Sequence, residues 1–403
     1  MRHLPGQIEP VGVVAQGLVC AAGSGLPALA AVLRAGATAL SPNDFTAENL
    51  PSWIGRMPGL EQVLLPDDLQ AWDCRATRLA WMGLQADGFL AAAQAACARH
   101  GAARVGLVLG TSASTIGASE LAYATLAPDG GFPAPLRNER LNTLHAVTMF
   151  VQQAIGLAGP CVTVSTACSS SAKAFAQAER WLRLDLADAV VVAGVDALSR
   201  SIVFGFHALG LLSADPCRPF DAARRGISVG EAAGFALLQR GAGDWLLLGH
   251  GESNDAHHMT HPHPLGVGAE QALDDALARA GASAADVDYL NLHGTASAQN
   301  DEIEAALVAR RYRGDVHASA TKGASGHTMG AAGIVEALIC ALALRDGLLS
   351  GSAGTAAVDA SLGTVFAAQL QRAPVRRRVR VAASHSFGFG GNNAVLLFRA
   401  GTA

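Results

Sequence analysis

Apolar positions in this chain gather into short runs that end on small residues, and several of those runs lead into stretches with helical spacing. Val105-Gly106-Leu107-Val108-Leu109 is one run, and Gly110-Thr111-Ser112-Ala113-Ser114 follows it. Val287-Asp288-Tyr289-Leu290-Asn291-Leu292 is another, followed by His293-Gly294-Thr295-Ala296-Ser297. Short apolar runs bounded by turn residues predict buried strands. Residues 162–167 enter a helical pattern that reaches Leu184, and residues 316–321 precede a helix predicted over 330–344. A third pair is Gly230-Glu231-Ala232-Ala233-Gly234-Phe235-Ala236-Leu237-Leu238 and Gly390-Gly391-Asn392-Asn393-Ala394-Val395-Leu396-Leu397. Three correspondences in the same order predict an internal duplication with its boundary near Gly241-Ala242-Gly243, giving halves 1–243 and 244–403. Strands alternating with amphipathic helices predict an α/β fold of mostly parallel sheets covered by helices. Reactive turns then lie at strand carboxyl ends.

Half of the 403 residues are hydrophobic and 15% are charged, which predicts a large core and an oligomer interface besides. The formal net charge of −4 gives no reason to expect nucleic acid or an anionic membrane as partner. The seven cysteines are odd in number, scattered, and free of CxxC spacing. That suits a reducing cytoplasm and argues against a disulfide framework or zinc site. The first ten residues lack the apolar core of a signal peptide, and glycine, proline and charge interrupt the apolar stretches too often for a membrane span.

Cys168 is the most informative residue. It follows the β-branched run Cys161-Val162-Thr163-Val164-Ser165-Thr166 and precedes Ser169-Ser170-Ser171-Ala172-Lys173-Ala174-Phe175. A thiol at the start of a helix leaving a buried strand is expected to favour the thiolate. His293 stands in a Gly-Thr turn, and Lys322 and His327 share Thr321-Lys322-Gly323-Ala324-Ser325-Gly326-His327. A nucleophilic thiol with two histidines in Gly-rich turns points to acyl transfer.

The chain resembles the β-ketoacyl-acyl-carrier-protein synthases of the elongating, two-histidine type. The resemblance spans essentially its whole length. Its carriers are Ser165-Thr166-Ala167-Cys168-Ser169-Ser170, Pro219-Phe220-Asp221 with Gly230-Glu231-Ala232-Ala233, His293-Gly294-Thr295, residues 322–336, and Ser386-Phe387-Gly388-Phe389-Gly390-Gly391. The resemblance implies a thiolase fold, five-layered αβαβα with two duplicated halves, and a dimer. It implies a decarboxylative Claisen condensation in fatty-acid or polyketide biosynthesis, run in the cytoplasm. Substrates ride on the phosphopantetheine of an acyl-carrier protein, with no organic cofactor and no catalytic metal.

Site roles follow from the resemblance position by position. Cys168 matches the nucleophile, and His293 and His327 the pair that assists decarboxylation of a malonyl thioester. Lys322 matches a lysine that orders the site, and Asp301 and Glu336 match acidic residues that balance it and hold the loops. The backbone N–H groups of Cys168 and Phe389 match the oxyanion hole, and Phe389 also the gate. Thr295 and Ser297 match hydroxyls on the pantetheine arm. Phe387 is expected among the residues that bind the pantetheine or acyl part of the substrate. Because the carrier protein is acidic as a class, Arg75, Arg78, Arg224 and Arg225 are candidates for its docking rim.

Three departures bear on substrate fit. His293-Gly294-Thr295-Ala296-Ser297 replaces the usual His-Gly-Thr-Gly-Thr, His385 stands where Asn is common, and Asn392 where Thr is common. In Asn254-Asp255-Ala256-His257-His258-Met259-Thr260-His261-Pro262-His263-Pro264, prolines block helical ligand spacing and no Cys or acidic cluster completes a shell, so no metal is expected. The resemblance instead makes His258 and Thr260 contacts at the mouth and on pantetheine. Gly251-Glu252-Ser253-Asn254-Asp255 through His261-Pro262-His263-Pro264, Asn291-Leu292-His293-Gly294-Thr295 followed by Asn300-Asp301, and Gly390-Gly391-Asn392-Asn393 are most similar to ketosynthases of aryl-polyene pigment pathways. Those pair with a chain-length-factor subunit, so a homodimer or such a heterodimer is expected. The alternatives are a housekeeping fatty-acid ketosynthase, a non-catalytic chain-length factor, and a degradative thiolase. Cys168 with both histidines argues against the factor. Against the thiolase, the only C-terminal cysteine is Cys340, inside a helical pattern.

Overall fold

Ten strands carry the architecture of the computed structural model, which describes residues 6–48, 50–133 and 137–401. They are β1 (Val11–Cys20), β2 (Val105–Gly110), β3 (Cys161–Val164), β4 (Ala189–Asp196) and β5 (Ala232–Arg240) in the first half. The second half contributes β6 (Trp245–Asn254), β7 (Tyr289–Leu292), β8 (His317–Ala320), β9 (Val381–Gly388) and β10 (Asn392–Ala400). The strands lie side by side as β8-β7-β9-β10-β6-β1-β5-β4-β2-β3. Read from either outer edge, each half runs third, second, fourth, fifth, first. The three sequence correspondences fall on matching strands: β2 with β7, β3 with β8, β5 with β10. The halves meet where β1 pairs antiparallel with β6, Val11 opposite Leu247.

Strands β1, β4, β6 and β9 are additions to the sequence expectation. So is the mixed character of the sheets. The pairings β2–β3, β2–β4, β7–β8 and β7–β9 are parallel, whereas β5 and β10 each run antiparallel to both neighbours. An antiparallel neighbour needs no crossover helix. Accordingly only residues 389–391 separate β9 from β10, with Gly390 and Gly391 both at positive φ.

Layering follows from period-two alternation on strands buried on both faces. In β4, Val190 and Val192 join a central cluster, and Val191, Ala193 and Val195 an outer one. In β10, Leu396 and Phe398 point to the centre, and Val395 and Leu397 outward. Helices α1 (Arg75–Gln85), α2 (Phe89–His100) and α3 (Ala146–Ile155) cover the outside of the first half. Helix α4 (Ser170–Arg183) lies in the central layer, and α5 (Val267–Ala280) and α6 (Ala298–Arg311) cover the second half. Helix α7 (Ala332–Asp346) is buried from Ala332 through Leu344 and shares the central layer with α4. A helix apolar all round belongs between two sheets. Its one interior charge, Glu336, is therefore the exception that needs a partner. The result is helix, sheet, helix, sheet, helix, as the resemblance implies. No helix among the described residues is long and apolar enough to cross a membrane.

Two glycines let the central helices approach the site. A Cβ on Gly333 would stand 2.4 Å from the Ala172 nitrogen, and one on Gly110 would stand 2.3 Å from the Ser171 nitrogen. Only glycine allows α4 to sit against both α7 and the end of β2.

Candidate active site

Cys168 lies in the turn between β3 and α4. The preceding residue, Ala167, has φ +52°, a left-handed conformation unusual for a residue with a side chain. Ser170 holds the turn from both sides: its Oγ donates to the Ala167 carbonyl at 2.6 Å and accepts from the Thr166 N–H at 2.9 Å. The Cys168 thiol is buried and pushed up to about 11. Burial is the largest cause. The Lys322 charge and the N–H of Phe389 pull the other way without overcoming it. This corrects the expected thiolate: Cys168 rests as a thiol, because desolvation outweighs the start of α4.

Both histidines face this thiol. His327 Nε2 lies 3.1 Å from Cys168 Sγ, and its Nδ1 accepts the Met329 N–H at 3.2 Å. His293 Nδ1 lies 3.3 Å from Lys322 Nζ, which has only hydrogens to offer. Burial and the Lys322 charge hold both imidazoles well below their usual range, so both are neutral. With Nδ1 accepting in each, the single ring hydrogen sits on Nε2. The Cys168 sulfur and one nitrogen of each histidine lie within 4.8 Å of one another. Three such groups are also a possible metal shell. Here they present hydrogens rather than lone pairs, beside a lysine charge, which fits an oxyanion better than a cation.

The supporting charges divide differently from expectation. Lys322 donates to Glu336 and, at 2.5 Å, to the His293 carbonyl. Burial raises the Glu336 carboxyl; the Lys322 charge opposes that shift, and the close pair identifies it as Lys322's counter-ion. Asp301 does not share in that balance. It accepts from the N–H groups of Phe220 at 2.7 Å and Ala296 at 3.2 Å, and faces Arg224 at 3.7 Å. Burial raises it to about 7. The residue that braces the His293 turn is Glu304, whose two oxygens accept the N–H groups of His293 and Gly294 at 2.8 Å each. Its spacing, eleven residues after His293 and three after Asp301 on α6, is the one sequence signal for it.

A cavity of about 420 Å³ opens onto Cys168, His293 and His327. Thr295, Ser297, Thr260, Phe387 and Phe389 line it, with the Thr295 and Ser297 hydroxyls 2.9 Å apart. His258 is not part of that lining. Its exposed ring turns to His261, the two Nδ1 atoms 2.8 Å apart. Phe389 sits in the β9–β10 hairpin, its ring centroid 6.0 Å from that of Phe206.

Of the four arginines expected at the rim, Arg224 and Arg225 line the cavity, and Arg225 is exposed with no ion pair among the described residues. Arg224 is committed to Asp359 at 2.6 Å. Arg75 and Arg78 do not line the cavity. Arg75 takes both oxygens of buried Glu231, which also accepts the N–H groups of Met57 and Leu198; Arg78 pairs with Asp73. In both, as in Arg224, a carboxylate brought near by the fold claims the guanidinium.

Residues 8–242 match the family described as beta-ketoacyl synthase, N-terminal domain, and residues 246–355 match beta-ketoacyl synthase, C-terminal domain. Nodulation protein E of Rhizobium sp. (strain N33) is 31% identical over 402 residues, covering 95% of this chain and 97% of that protein. The 3-oxoacyl-[acyl-carrier-protein] synthase 2 of Rhizobium meliloti (strain 1021) is 39% identical over 263 residues, 60% of this chain and 61% of its own length. Among solved structures, a ketosynthase in complex with its chain length factor from Xenorhabdus doucetiae superposes with a TM-score of 0.88 at 32% identity, covering 99% of this chain and 100% of that one. With an intact cysteine and two histidines on a thiolase-like fold, the chain belongs to the β-ketoacyl synthases, which condense an acyl group with a malonyl unit on acyl-carrier protein.

Proposed function

We propose that Cys168 accepts the acyl chain and that His293 and His327 together carry the decarboxylation. In the first half-reaction the Cys168 thiol exchanges with an acyl-carrier thioester. The new thioester forms at Sγ, and the thiol proton leaves with the carrier's sulfur. Thiol replaces thiol, so no net proton is consumed. The N–H groups of Cys168 and Phe389 receive the carbonyl oxygen as it gains charge. In the second half-reaction malonyl-carrier protein loses its carboxylate as CO2. The electron pair moves into the thioester as an enolate, whose oxygen accepts hydrogen bonds from the two Nε2–H groups. Its carbon then attacks the Cys168 thioester. Sγ departs as a thiolate and takes up one proton from water in the cavity, and the β-ketoacyl chain stays on the carrier two carbons longer.

One observation carries this reading: the Nδ1 atoms of both histidines are occupied, His327 by the Met329 N–H and His293 by Lys322, which leaves the single hydrogen of each ring on Nε2, in a cluster where His327 Nε2 lies 3.1 Å from Cys168 Sγ and one nitrogen of each ring lies within 4.8 Å of that sulfur. Incubation with an acyl-carrier protein, followed by peptide mass spectrometry, is the test. The acyl group is expected on Cys168; acylation confined to Cys161 or Cys340 would end the proposal.

The resemblance to aryl-polyene ketosynthases supports extension of polyunsaturated chains on a dedicated carrier protein, in a dimer with a chain-length-factor-like subunit. The likeness to the Xenorhabdus doucetiae ketosynthase, solved with its chain length factor, is in keeping with that assembly. The proposed division is an acyl-accepting half, 1–243, and a decarboxylating half, 244–403. Arg225 is its candidate contact with the carrier.

A further inference from the structure

His385 lies beneath the turn that presents His293. It is fully buried, and both of its ring nitrogens are bonded. Nδ1 stands 3.1 Å from Glu304 Oε1, and Nε2 stands 2.8 Å from the Tyr312 hydroxyl. Glu304 already accepts the N–H groups of His293 and Gly294, and a carboxylate has no hydrogen to give. Nδ1 of His385 is therefore the donor. Burial raises the Tyr312 phenol and keeps its hydroxyl hydrogen, which Nε2 accepts. The bonds thus run from Tyr312 on the chain after α6, through His385 on β9, to Glu304 on α6, and end on the backbone of the His293 turn. That turn has little slack: a Cβ on Gly294 would stand 2.4 Å from the Ala320 Cβ. A second contact runs beside the first. The Phe387 ring centroid lies 5.0 Å from that of His385 and 6.1 Å from that of His293.

None of the steps above uses His385 or Tyr312. We propose that His385, held by Tyr312, is a positioning residue for decarboxylation: it clamps Glu304, which fixes the His293 turn and so the direction of the Nε2 hydrogen. The inference rests on the role given to His293. An enolate oxygen is stabilised only by donors already aimed at it. Losing the Nδ1–H removes one of the hydrogen bonds that fix the buried Glu304 carboxylate and loosens the turn it braces. Acylation of Cys168 depends on β3, α4 and the N–H groups of Cys168 and Phe389, none of which takes a hydrogen bond from this chain of bonds.

The experiment measures two half-reactions on the full-length protein: CO2 release from malonyl-pantetheine, and stoichiometric acylation of Cys168 by octanoyl-pantetheine. The variants are His385→Leu, His385→Asn, Tyr312→Phe and His293→Ala. His385→Leu is expected to slow CO2 release by about a hundredfold, the cost of misplacing a catalytic group by roughly an ångström, and to acylate at nearly the parental rate. Asn puts an amide N–H where Nδ1–H stands, so His385→Asn is expected to restore most of the loss. Tyr312→Phe, which leaves Glu304 untouched but frees the far side of the ring, is expected to lose a smaller part of CO2 release alone. Parental CO2 release in His385→Leu overturns the inference. So does an equal loss of both half-reactions in a variant that melts at the parental temperature, since that marks a packing role. If His385→Leu does not fold, unchanged CO2 release in Tyr312→Phe overturns it. Parental CO2 release in His293→Ala would instead sink the reading of the site on which the inference stands.

Discussion

Lys322 places its Nζ 3.3 Å from Nδ1 of His293 while Glu336 takes up its charge. One side chain thereby fixes a tautomer and satisfies the lone carboxylate inside α7. Removing it separates the two roles. Lys322→Met strands a buried carboxylate and is expected to lose about 3–5 kcal/mol of stability. Adding Glu336→Gln is expected to recover most of that stability and none of the decarboxylation, because Nδ1 of His293 is still unheld. Urea midpoints and CO2 release on the single and double variants check this; recovery of both together would contradict it.

The Cys168 thiol is raised to about 11 by burial, and the Lys322 charge is the chief opposing influence. Its alkylation by iodoacetamide is therefore expected to keep accelerating with pH from 7 to 10, with no plateau near neutrality. In Lys322→Met the profile is expected to move to higher pH. A plateau below pH 8 would mean a thiolate at rest, and with it a different first step.

Arg75 and Arg225 looked alike in the sequence and are expected to behave oppositely. Arg75→Ala leaves the buried Glu231 carboxylate without its guanidinium and is expected to cost about 3–5 kcal/mol. Arg225→Ala, exposed at the cavity, is expected to leave the melting temperature unchanged and raise KM for carrier-bound substrate. Equal KM for carrier-bound and pantetheine substrates in Arg225→Ala would remove it from the docking rim.

Buried histidines set the response to acid. His317 is pushed down to about 4 by burial, its Nε2 2.8 Å from the Ser350 carbonyl, and His250, His293 and His327 are lowered as well. An unfolded imidazole titrates near 6.5. Below that pH these four sites bind more protons in the unfolded chain than in the folded one, so their contribution to stability is present above about 6.5 and is lost as pH falls toward 4; the Asp301 and Glu336 carboxyls, raised to about 7, oppose part of that loss. The melting temperature is expected to drop across that window, and less steeply in His317→Gln. An identical slope in that variant would contradict the assignment.

The reacting groups were legible because each is announced by its own neighbours in the chain. Cys168 sits where a β-branched run gives way to Ser and Ala, and His293 and His327 sit in glycine turns. The duplication was legible because matching strands end in matching turns. What escaped depends on partners far along the chain. Glu304 and Glu231 act by accepting backbone N–H groups, and no side-chain pattern marks a backbone donor. Arg75 read as a rim residue because nothing local shows that Glu231, 156 residues on, will claim it, whereas the claim on Arg78 comes from nearby Asp73. The state of Cys168 was misjudged for a quantitative reason. A helix terminus contributes about 0.3–1 kcal/mol, whereas full burial moves a titrating group by up to about 3–5 pKa units. His385 stood out only as a departure from the common Asn; that it lies under His293 is a fact of β9's position beside β7.

The most direct test of the account separates its two halves in one preparation. His293→Ala and His327→Ala are each given octanoyl-carrier protein, and Cys168 acylation is counted. Each is then given malonyl-carrier protein, and CO2 is counted. Loss of one oxyanion donor costs about 10²–10³ in rate, so CO2 release is expected to fall by that factor in both variants while Cys168 is still acylated to one equivalent. Variants that fail to acylate Cys168 but release CO2 at the parental rate would contradict the central claim.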